Sequence, residues 1–447
     1  MEKNLTEGAV FKNLAFFSLP YLLSYFLQTL YGMADLFIIG EFNGVSATTA
    51  VSVGSQVMHM LTVIIVGLAM GSTVSIGNAV GAGDRKKAAL NIGNTVTLFM
   101  ALSLILTAVL LLAVKPIVNA VSTPKEAVDG AVKYLTVCFL GIPFITAYNI
   151  ISSVFRGLGD SKSPMYFIAI ACAANIILDY LFIGALDMGP AGAALGTTLS
   201  QALSVAVSLF VILKRGAAGI TLKKSDFKPL NSVMGKILKI GIPISLQDGF
   251  IQISFILITA IANKRGLTDA AAVGIVEKIV GFVFLVPSSM LSAVSAIGAQ
   301  NIGAGKPKRA VSTLGYAIII SSVFSVAAII AVELAAKGAV SLFTGDGAVI
   351  ISGSQYLKGY IWDCFFAGIH FSCSGYFCAA GKSGFSFLHN LLSIILVRIP
   401  GAYITSKLFT TTLLPMGLSS AAGSLFSVII CAVILTVMLK KNKKATA

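Results

Sequence analysis

Charged residues are scarce in this sequence. Only 11% of its 447 residues are Asp, Glu, Lys or Arg, whereas 57% are hydrophobic and the mean hydropathy is +0.93. A soluble domain carries roughly 25% charged residues, because its surface must face water. So few charges do not cover a water-exposed surface of this size, which excludes a soluble protein. The chain is therefore expected to lie in a lipid bilayer.

The alternating pattern of β-barrel strands is also missing. Such strands alternate apolar and polar residues over segments of about ten residues, but this sequence has long unbroken apolar stretches, for example 95–114 and 317–332. These stretches predict α-helices, which satisfy their own backbone hydrogen bonds in lipid. We predict an all-α integral membrane protein.

Groupings typical of metal sites and hydrolytic enzymes are absent from the sequence. The six cysteines form no CxxC pair and have no histidine at ligand spacing, so we interpret them as small hydrophobic residues. The three histidines, His59, His370 and His389, show no grouping with a metal ligand or a nucleophile. An intramembrane enzyme is therefore disfavoured, and no cofactor is predicted.

Acidic residues are about half as frequent as basic ones, 17 against 32, which gives a net charge of +15. Such an excess suggests nucleic acid as a partner, but here the basic residues fall in short loops between apolar segments rather than in one patch. Positive residues are retained on the cytoplasmic side of a membrane, where the lipid is anionic. Membrane lipid is the predicted partner, and nucleic acid is not.

Twelve segments are long and apolar enough to span a bilayer, which requires about twenty residues. Alternate connections between them are rich in Lys and Arg, at 85–87, 156–162, 214–239, 306–309 and 440–444, whereas the opposite set is sparser and carries acids. The positive-inside rule then places both termini in the cytoplasm, and we expect a multi-pass protein of the cell inner (plasma) membrane. The predicted spans are 14–40, 48–79, 90–114, 131–155, 164–186, 191–214, 236–262, 270–300, 310–336, 354–380, 384–406 and 416–439.

The two halves of the chain resemble each other. GAGDRKKA at 81–88 recurs as GAGKPKRA at 303–310, and FRGLGDS at 155–161 recurs at the same spacing as FCAAGKS at 377–383. With a slip of one residue, Pro20 corresponds to Pro243. We predict two pseudo-symmetric six-helix bundles with a central cleft, which is a transporter architecture. The predicted division is 1–215 for the N-terminal bundle, 216–235 for a cytoplasmic linker and 236–447 for the C-terminal bundle.

Several motifs occur together along the chain. They are Pro20, Asp35 and Gly40 in the first helix, FRGLGDSKSPM at 155–165, NIILDY at 175–180, GPAGAA at 189–194 and the paired GAG loops. Together they resemble the multidrug and toxic compound extrusion (MATE) family, nearest its prokaryotic DinF-like branch. The resemblance covers essentially the whole chain and is best in the N-terminal half. It implies a secondary antiporter that exports amphipathic, often cationic drugs and toxins against Na⁺ or H⁺ by alternating access.

Two aspartates inside membrane helices are the main candidates for function, because an ionisable residue there is costly unless it is paired or faces a cavity. Asp35 and Asp179 lie at matching depths in the first and fifth helices, and Asn175 precedes Asp179 by one helical turn. Hard oxygen ligands suit Na⁺, whereas two adjacent carboxylates can instead share a proton. A purely structural role, with each aspartate satisfied by hydroxyl groups, is the alternative.

The resemblance implies that this cluster binds the coupling ion. The predicted cation-coupling residues are Asp35, Asn175, Asp179, Thr197 and Ala193, the last through its carbonyl, and all but Ala193 are candidate Na⁺ ligands. Pro20 and Tyr134 are predicted to act in gating, with neutralisation of Asp35 transmitted as bending near Pro20, where the helical hydrogen bonding is interrupted.

The C-terminal half does not repeat these aspartates but carries charges of its own. Glu277, Asp363 and Arg398 are predicted to form a buried network that contacts substrate or serves as a second coupling site, with pairing across helices as the structural alternative. Asp248 is expected to face the central cleft. Arg156 is assigned to a tight cytoplasmic turn, where it anchors the loop.

The alternative function is a lipid-linked oligosaccharide flippase of the same superfamily. That activity favours a strongly cationic cleft for pyrophosphate, and the sequence offers only Arg398 and Lys278. Antiport is therefore the preferred reading, and because two fused halves already supply a cleft, we expect a monomer.

Overall fold

The computed structural model describes residues 4–215 and 220–446, and within these ranges the chain is α-helical with no β-strand. A short 3₁₀-helix occurs at Lys125–Ala127 and another at Lys224–Phe227. The α-helices are α1 (Val10–Gly81), α2 (Arg85–Ala120), α3 (Val128–Leu140), α4 (Ile142–Gly157), α5 (Lys162–Asp179), α6 (Gly189–Arg215), α7 (Asn231–Asn263), α8 (Leu267–Val283), α9 (Leu285–Gly303), α10 (Pro307–Ser341), α11 (Gly347–Ala379), α12 (Gly384–Ser393), α13 (Ile399–Leu408) and α14 (Leu414–Thr446).

These helices account for the twelve predicted spans. The first two spans are fused in α1, whose 72 residues are interrupted only at Gly44, where φ is 73° and ψ is −174°. The pairs α3–α4, α8–α9 and α12–α13 each form one interrupted span, and the remaining helices form one span each. The predicted all-α membrane fold with twelve helices is therefore confirmed.

One span, α11, is too polar to be recognised by hydropathy alone. In the described part of the chain, nine helices are long and apolar enough to cross a membrane, and the bent α3–α4 pair adds a tenth. α11 is not among these ten. It is the helix around which the C-terminal unit is built, since α8, α9, α10 and α14 all pack against it. Because other helices shield it from lipid, α11 can carry polar side chains such as Asp363 and His370, which are buried.

Proline causes two interruptions that the sequence analysis did not predict. The fourth span bends by 48° between α3 and α4, at Gly141, and Pro143 is the second residue of α4. The eighth span is interrupted at Phe284, and Pro287 is the third residue of α9. A proline ring conflicts with the carbonyl four residues earlier, so the helix before it ends or bends.

Two spans contain π-helical turns, at Tyr180–Ala185 directly after α5 and at Ile394–Arg398 between α12 and α13. π-helical turns are rare and occur frequently at functional sites. Each of these borders a charged residue that the sequence analysis selected. Asp179 is the last residue of α5, and Arg398 is the last residue of the second π-helical stretch.

The internal repeat is visible in the backbone. Within the described residues, six of the eight glycines with positive φ form three pairs that lie 222 residues apart, one member in each half. Each of these positions needs a conformation that L-residues rarely adopt. The pairs are Gly44 with Gly266, Gly83 with Gly305, and Gly159 with Gly381. The loops that the sequence motifs identified therefore share their turn geometry.

The chain divides into two compact units. One contains Leu19–Ser245, and the other contains Leu246–Ala447 together with Thr6–Ser18. Residues 216–219 of the predicted linker lie outside the described residues. The rest of the linker is anchored to α2, where the Asn94 amide donates to the Asp226 carbonyl at 3.0 Å and accepts from the Leu230 N–H at 2.8 Å. The division at 216–235 stays a prediction.

Candidate functional site

The predicted cation cluster comes together inside the N-terminal unit. Asp35 of α1 and Asn175 and Asp179 of α5 are buried, with exposed fractions of 3%, 1% and 0%. Thr197 of α6 donates its hydroxyl to Asp35 Oδ2 at 3.1 Å. Asp35 also lies within interaction range of Asn175 and of the Asp179 carboxyl group. Residues from three helices thus form one polar cluster, although Asp35 is 162 positions from Thr197 in sequence.

Most of the polar atoms in this cluster have no hydrogen-bond partner within the protein. They are Asp35 Oδ1, both carboxyl oxygens of Asp179, and both the oxygen and the nitrogen of the Asn175 amide. A buried polar atom without a partner costs about 1–3 kcal/mol, and more when it is charged. Four unpaired oxygens in a sealed site form a donor set that suits a small hard cation.

Electrostatic repulsion between the two carboxylates also favours a positive charge in the cluster. Two negative charges about 5 Å apart repel each other by on the order of 3 kcal/mol, even at an effective dielectric constant of about 20. Water does not screen this repulsion, because Asp35 and Asp179 are each at most 3% exposed. The cluster is therefore stable only when it takes up positive charge, as a proton shared by the carboxyl groups or as a bound cation.

Gly196 is a site residue that the sequence analysis missed. It directly precedes Thr197 on α6, and a Cβ atom added at this position would collide with Asp179 Oδ1 and lie 3.6 Å from Asn175 Nδ2. The carboxyl group of Asp179 thus packs directly against the α6 backbone. The sequence signal was present in the pair Gly196-Thr197, but only the structure shows which helix packs there.

The remaining residues predicted for this site lie around the cluster. Ala193, one turn before Thr197, is fully buried in an apolar cluster that also contains Tyr134 and Ile38. The Tyr134 ring packs against Gly54 of α1, and its phenol is within electrostatic range of Asp35. Pro20 lies near the start of α1, where its carbonyl accepts from Ser24 Oγ at 2.8 Å. The coupling and gating roles of these residues stay predictions.

The predicted network of the C-terminal unit forms around one buried ion pair. Arg398 and Asp363 are directly hydrogen-bonded, and their side chains are 9% and 0% exposed. Arg398 also donates to the Tyr360 hydroxyl at 3.3 Å and stacks over Phe255, with the guanidinium carbon 5.7 Å from the ring centroid. Because each charge neutralises the other, the pair as a whole contributes no net charge.

Two further predicted acids lie apart from this pair. Glu277 is partly buried and accepts from the Thr259 hydroxyl at 2.9 Å, while Tyr356 and Tyr360 lie within electrostatic range of it and of Asp363. Asp248 of α7 accepts only a long bond, 3.4 Å, from its neighbour Gln247. The network is thus one tight ion pair and two separate carboxyl groups.

The interpretation of Arg156 as a loop anchor needs correction. Arg156 lies in the last turn of α4, is only 9% exposed, and its guanidinium stacks over Tyr21 at 4.4 Å from the ring centroid. It lines a small internal cavity of about 10 Å³ together with Asn149 and Ser153. These residues recur at helical spacing on one face of α4, a pattern in the sequence that marks a buried polar face rather than a turn.

Two histidines that the sequence analysis treated as isolated are neighbours. The rings of His370 on α11 and His389 on α12 are edge to face, with their centroids 5.4 Å apart, and both are buried. Sequence spacing did not group them, because they lie on different helices. They approach because α11 and α12 are consecutive helices joined by the short turn at 380–383.

Comparison with known proteins agrees with this architecture. The sequence model of the MatE family matches residues 20–181 and 243–404, one stretch in each half of the chain. The "Probable multidrug resistance protein YpnP" of Bacillus subtilis is 31% identical, over 97% of this chain and 96% of its own length. "Probable multidrug resistance protein NorM" of Thermotoga maritima is 27% identical over 93% and 90%, and "Multidrug export protein MepA" of Staphylococcus aureus is 27% identical over 91% and 89%.

Solved structures share the fold at low sequence identity. A crystal structure of MATE in complex with MaL6 superposes with a TM-score of 0.91 at 23% identity and covers 99% of both chains. The outward-facing conformation of a multidrug resistance MATE family transporter gives a TM-score of 0.90 at 22% identity, over 98% of both chains.

Proposed function

The chain belongs to the MatE family of multidrug efflux transporters, and from this premise we propose that it is a secondary active antiporter. It exports amphipathic, often cationic organic compounds in exchange for Na⁺ or H⁺. As a member of this family it is a multi-pass membrane transporter and not an enzyme. The flippase alternative is not favoured, since the relatives that span the whole chain are named as multidrug proteins.

The observation that supports coupling is the unsatisfied carboxyl pair of the N-terminal unit. Asp35 and Asp179 are buried together with three unpaired carboxyl oxygens. This carboxyl pair favours a bound positive charge and is closed to water in the present structure. It can therefore exchange its ion with solution only in a conformation that opens the site. Exchange of this kind on alternate sides of the membrane is what couples an ion gradient to transport.

Each residue of the cluster has a distinct part in this exchange. Asp35 and Asp179 supply the negative charge, and the Asn175 amide oxygen completes the oxygen set. Thr197 orients Asp35 through its hydroxyl group, at 3.1 Å. If the ion is a proton, it bonds to one carboxylate and is shared with the other. If the ion is Na⁺, the same oxygens coordinate it, and it is carried as a second substrate.

Release and uptake of the ion must alter the helices that hold it. Asp35 is on α1, which contains Pro20 four turns earlier. Proline removes one backbone hydrogen bond and so lowers the cost of bending. We expect neutralisation of Asp35 to change the bend of α1 at Pro20, with Tyr134 packed on Gly54 following the movement.

The chemistry of the exported compound follows from the charges of the C-terminal unit. Asp363 is already neutralised by Arg398, so the free negative charge belongs to Glu277 and Asp248. Two such carboxyl groups in largely apolar surroundings attract an organic cation with apolar substituents. The membrane potential contributes about 2.3 kcal/mol per 100 mV for each net positive charge that moves inward. It therefore adds to the driving force only when more positive charge enters with the coupling ion than leaves with the exported compound. We place the protein in the plasma membrane as a monomer with both termini in the cytoplasm.

The test is ethidium efflux from cells that express the full chain, with either a pH gradient or a Na⁺ gradient imposed. Asp179→Asn removes one charge of the cluster and keeps its shape. Asp187→Asn is the matched control, because it makes the same chemical change eight residues away, where Asp187 is exposed and accepts from Asn43 Nδ2 at 2.7 Å.

We expect wild type and Asp187→Asn to export ethidium with one of the two gradients, and Asp179→Asn to lose the gradient-driven component. The effective gradient identifies the coupling ion. Full gradient-driven efflux in Asp179→Asn would move coupling to the C-terminal unit. No efflux of any cationic dye by the wild type would refute drug antiport.

A further inference from the structure

The C-terminal unit contains a buried histidine pair that the coupling mechanism above does not use. His370 and His389 are 3% and 0% exposed, and their rings meet edge to face at 5.4 Å. The sequence contains three histidines, and the third, His59, is exposed on α1. Two of the three side chains that exchange protons most readily at neutral pH are therefore in contact inside one helical bundle.

Each ring of the pair keeps one nitrogen without a partner. His370 Nε2 is 3.3 Å from Ser424 Oγ, and His389 Nε2 is 2.9 Å from Ser374 Oγ. The Nδ1 atoms of both rings are buried and make no hydrogen bond. A neutral imidazole has one donor and one acceptor nitrogen, so neither tautomer removes this deficit. A pair retained with two unsatisfied polar atoms in a membrane core is a candidate for function rather than packing.

Polar side chains continue from this pair in both directions. Ser424 on α14 interacts with His370 and also with Asp363, the partner of Arg398. On the other side, Ser386 donates to the Ser374 carbonyl at 3.2 Å, close to the turn at 380–383 between α11 and α12. Polar side chains thus flank the pair on both sides, towards the buried ion pair and towards the turn between these helices.

Charged groups lie near the pair on the π-helical stretch, on α11 and on α7, and α14 presents hydroxyl groups. Arg398, at the end of the π-helical stretch, lies within electrostatic range of His370, and Asp363 of α11 neutralises it. On α7, Asp248 lies within electrostatic range of Cys378, which is on α11 one turn beyond Ser374. The α14 side presents Ser424 and Ser427, whose hydroxyl donates to the His389 carbonyl at 3.2 Å.

We propose that His370 and His389 together form a proton-binding site of the C-terminal unit, which is filled and emptied as the transporter changes conformation. In a conformation that admits water, one proton leaves a water molecule or hydronium ion and bonds to the free Nδ1 lone pair of one ring, and the resulting imidazolium is stabilised by the other ring. Burial removes water from the imidazolium, and Arg398 lies within electrostatic range of His370, so the charged form is disfavoured as the site closes. The proton therefore passes back to a water molecule while water still reaches the pair. No electrons are transferred.

This inference rests on the proposed antiport and assigns it a second proton site, separate from the Asp35–Asp179 cluster. It also connects the histidines to the buried ion pair. A proton on His370 repels Arg398 and attracts Asp363, so it competes with the arginine for that carboxylate.

Imidazole ¹⁵N spectra of the full chain in lipid nanodiscs test the site directly, because only three histidines contribute. Spectra are recorded from about pH 5 to about pH 9, with and without ethidium. We expect His370 and His389 to take up one proton between them, with the titration of each ring altered by replacing the other, and His59 to titrate independently. Two rings that stay neutral over the whole range, with and without ethidium, would overturn the proposal.

The second arm measures pH-gradient-driven ethidium transport in proteoliposomes. His370→Gln and His389→Gln should lower the initial rate about tenfold or move the pH of half-maximal transport by about one unit, while His59→Gln leaves both unchanged. Ser374→Ala keeps both rings and should give an intermediate shift. An unchanged pH profile in both histidine variants would refute a coupling role. Absence of wild-type transport under every gradient would refute the antiport itself, while the spectra still report proton binding by the pair.

Discussion

Replacement of Gly196 by alanine is the sharpest test of how the cation cluster is built. In an α-helix the direction of Cβ is fixed by the backbone, so the new methyl group cannot rotate away. It would occupy the space of Asp179 Oδ1 and contact the Asn175 amide. Either the carboxyl group turns away from the cluster or α5 and α6 move apart. Both responses remove Asp179 from the position in which it faces Asp35.

The size of the effect follows from the packing. Forcing one extra methyl group into a close-packed interior costs about 1–3 kcal/mol. If that cost falls on the ion-bound state, the apparent affinity for the coupling ion falls by about 5- to 140-fold. The assay is the initial rate of ethidium transport in proteoliposomes as a function of the coupling-ion concentration. Gly196→Ala should raise the half-maximal concentration and leave the maximal rate less affected.

The control is Gly235→Ala, on α7 of the same unit, where an added Cβ meets nothing within 4 Å. It should transport as the wild type does. A double-mutant cycle measured by thermal unfolding sharpens the test, since Gly196→Ala should cost little stability once Asp179→Ala has removed the carboxyl group that the new methyl group meets. A Gly196→Ala protein that folds and shows wild-type ion dependence would refute the proposed contact and its role.

Two further predictions concern buried cations. Asp363→Asn leaves Arg398 buried and unpaired and should destabilise the protein by about 3–5 kcal/mol, whereas the double variant Asp363→Leu/Arg398→Met should regain most of that loss. Thermal unfolding in detergent measures the stability of each variant. Equal losses of stability in the single and the double variant would argue against the ion pair. Arg156→Gln and Tyr21→Leu should each destabilise the protein. Because Arg156 and Tyr21 share one cation–π contact, a double-mutant cycle should show a coupling free energy of about 1–2 kcal/mol. A coupling free energy near zero would mean that the stacking does not contribute to stability.

The overall architecture could be predicted from the sequence because lipid imposes a simple rule. Apolar stretches of about twenty residues must be helices, and charge in the loops and the repeated GAG motif then fix their number and pairing. Even α11, which fails a strict hydropathy test, coincides with the predicted span 354–380. The membership of Asp35, Asn175, Asp179 and Thr197 in one cluster followed from matching their depths along helices of known direction.

The features that the sequence did not predict depend on which faces of the helices are in contact. Gly196 matters only because the carboxyl group of Asp179 packs against it, and a single sequence does not show that contact. The π-helical turn beside Asp179 changes the face of its helix without a proline to signal it, whereas the stretch that ends at Arg398 is followed by Pro400. Arg156 was misread because its motif contains two glycines, which suggested a loop, although its neighbours Asn149 and Ser153 mark a helical face.

The two π-helical turns lie beside residues of opposite charge in the two halves of the chain. In the N-terminal half the charged residue at the π-helical turn is Asp179, which stands with Asp35 and lacks a positive partner. In the C-terminal half it is Arg398, bonded to Asp363. The C-terminal half therefore carries a buried positive charge of its own, in the Arg398 side chain. Under the proposed antiport, the N-terminal half instead takes its positive charge from solution, as an ion that binds and leaves in each transport cycle.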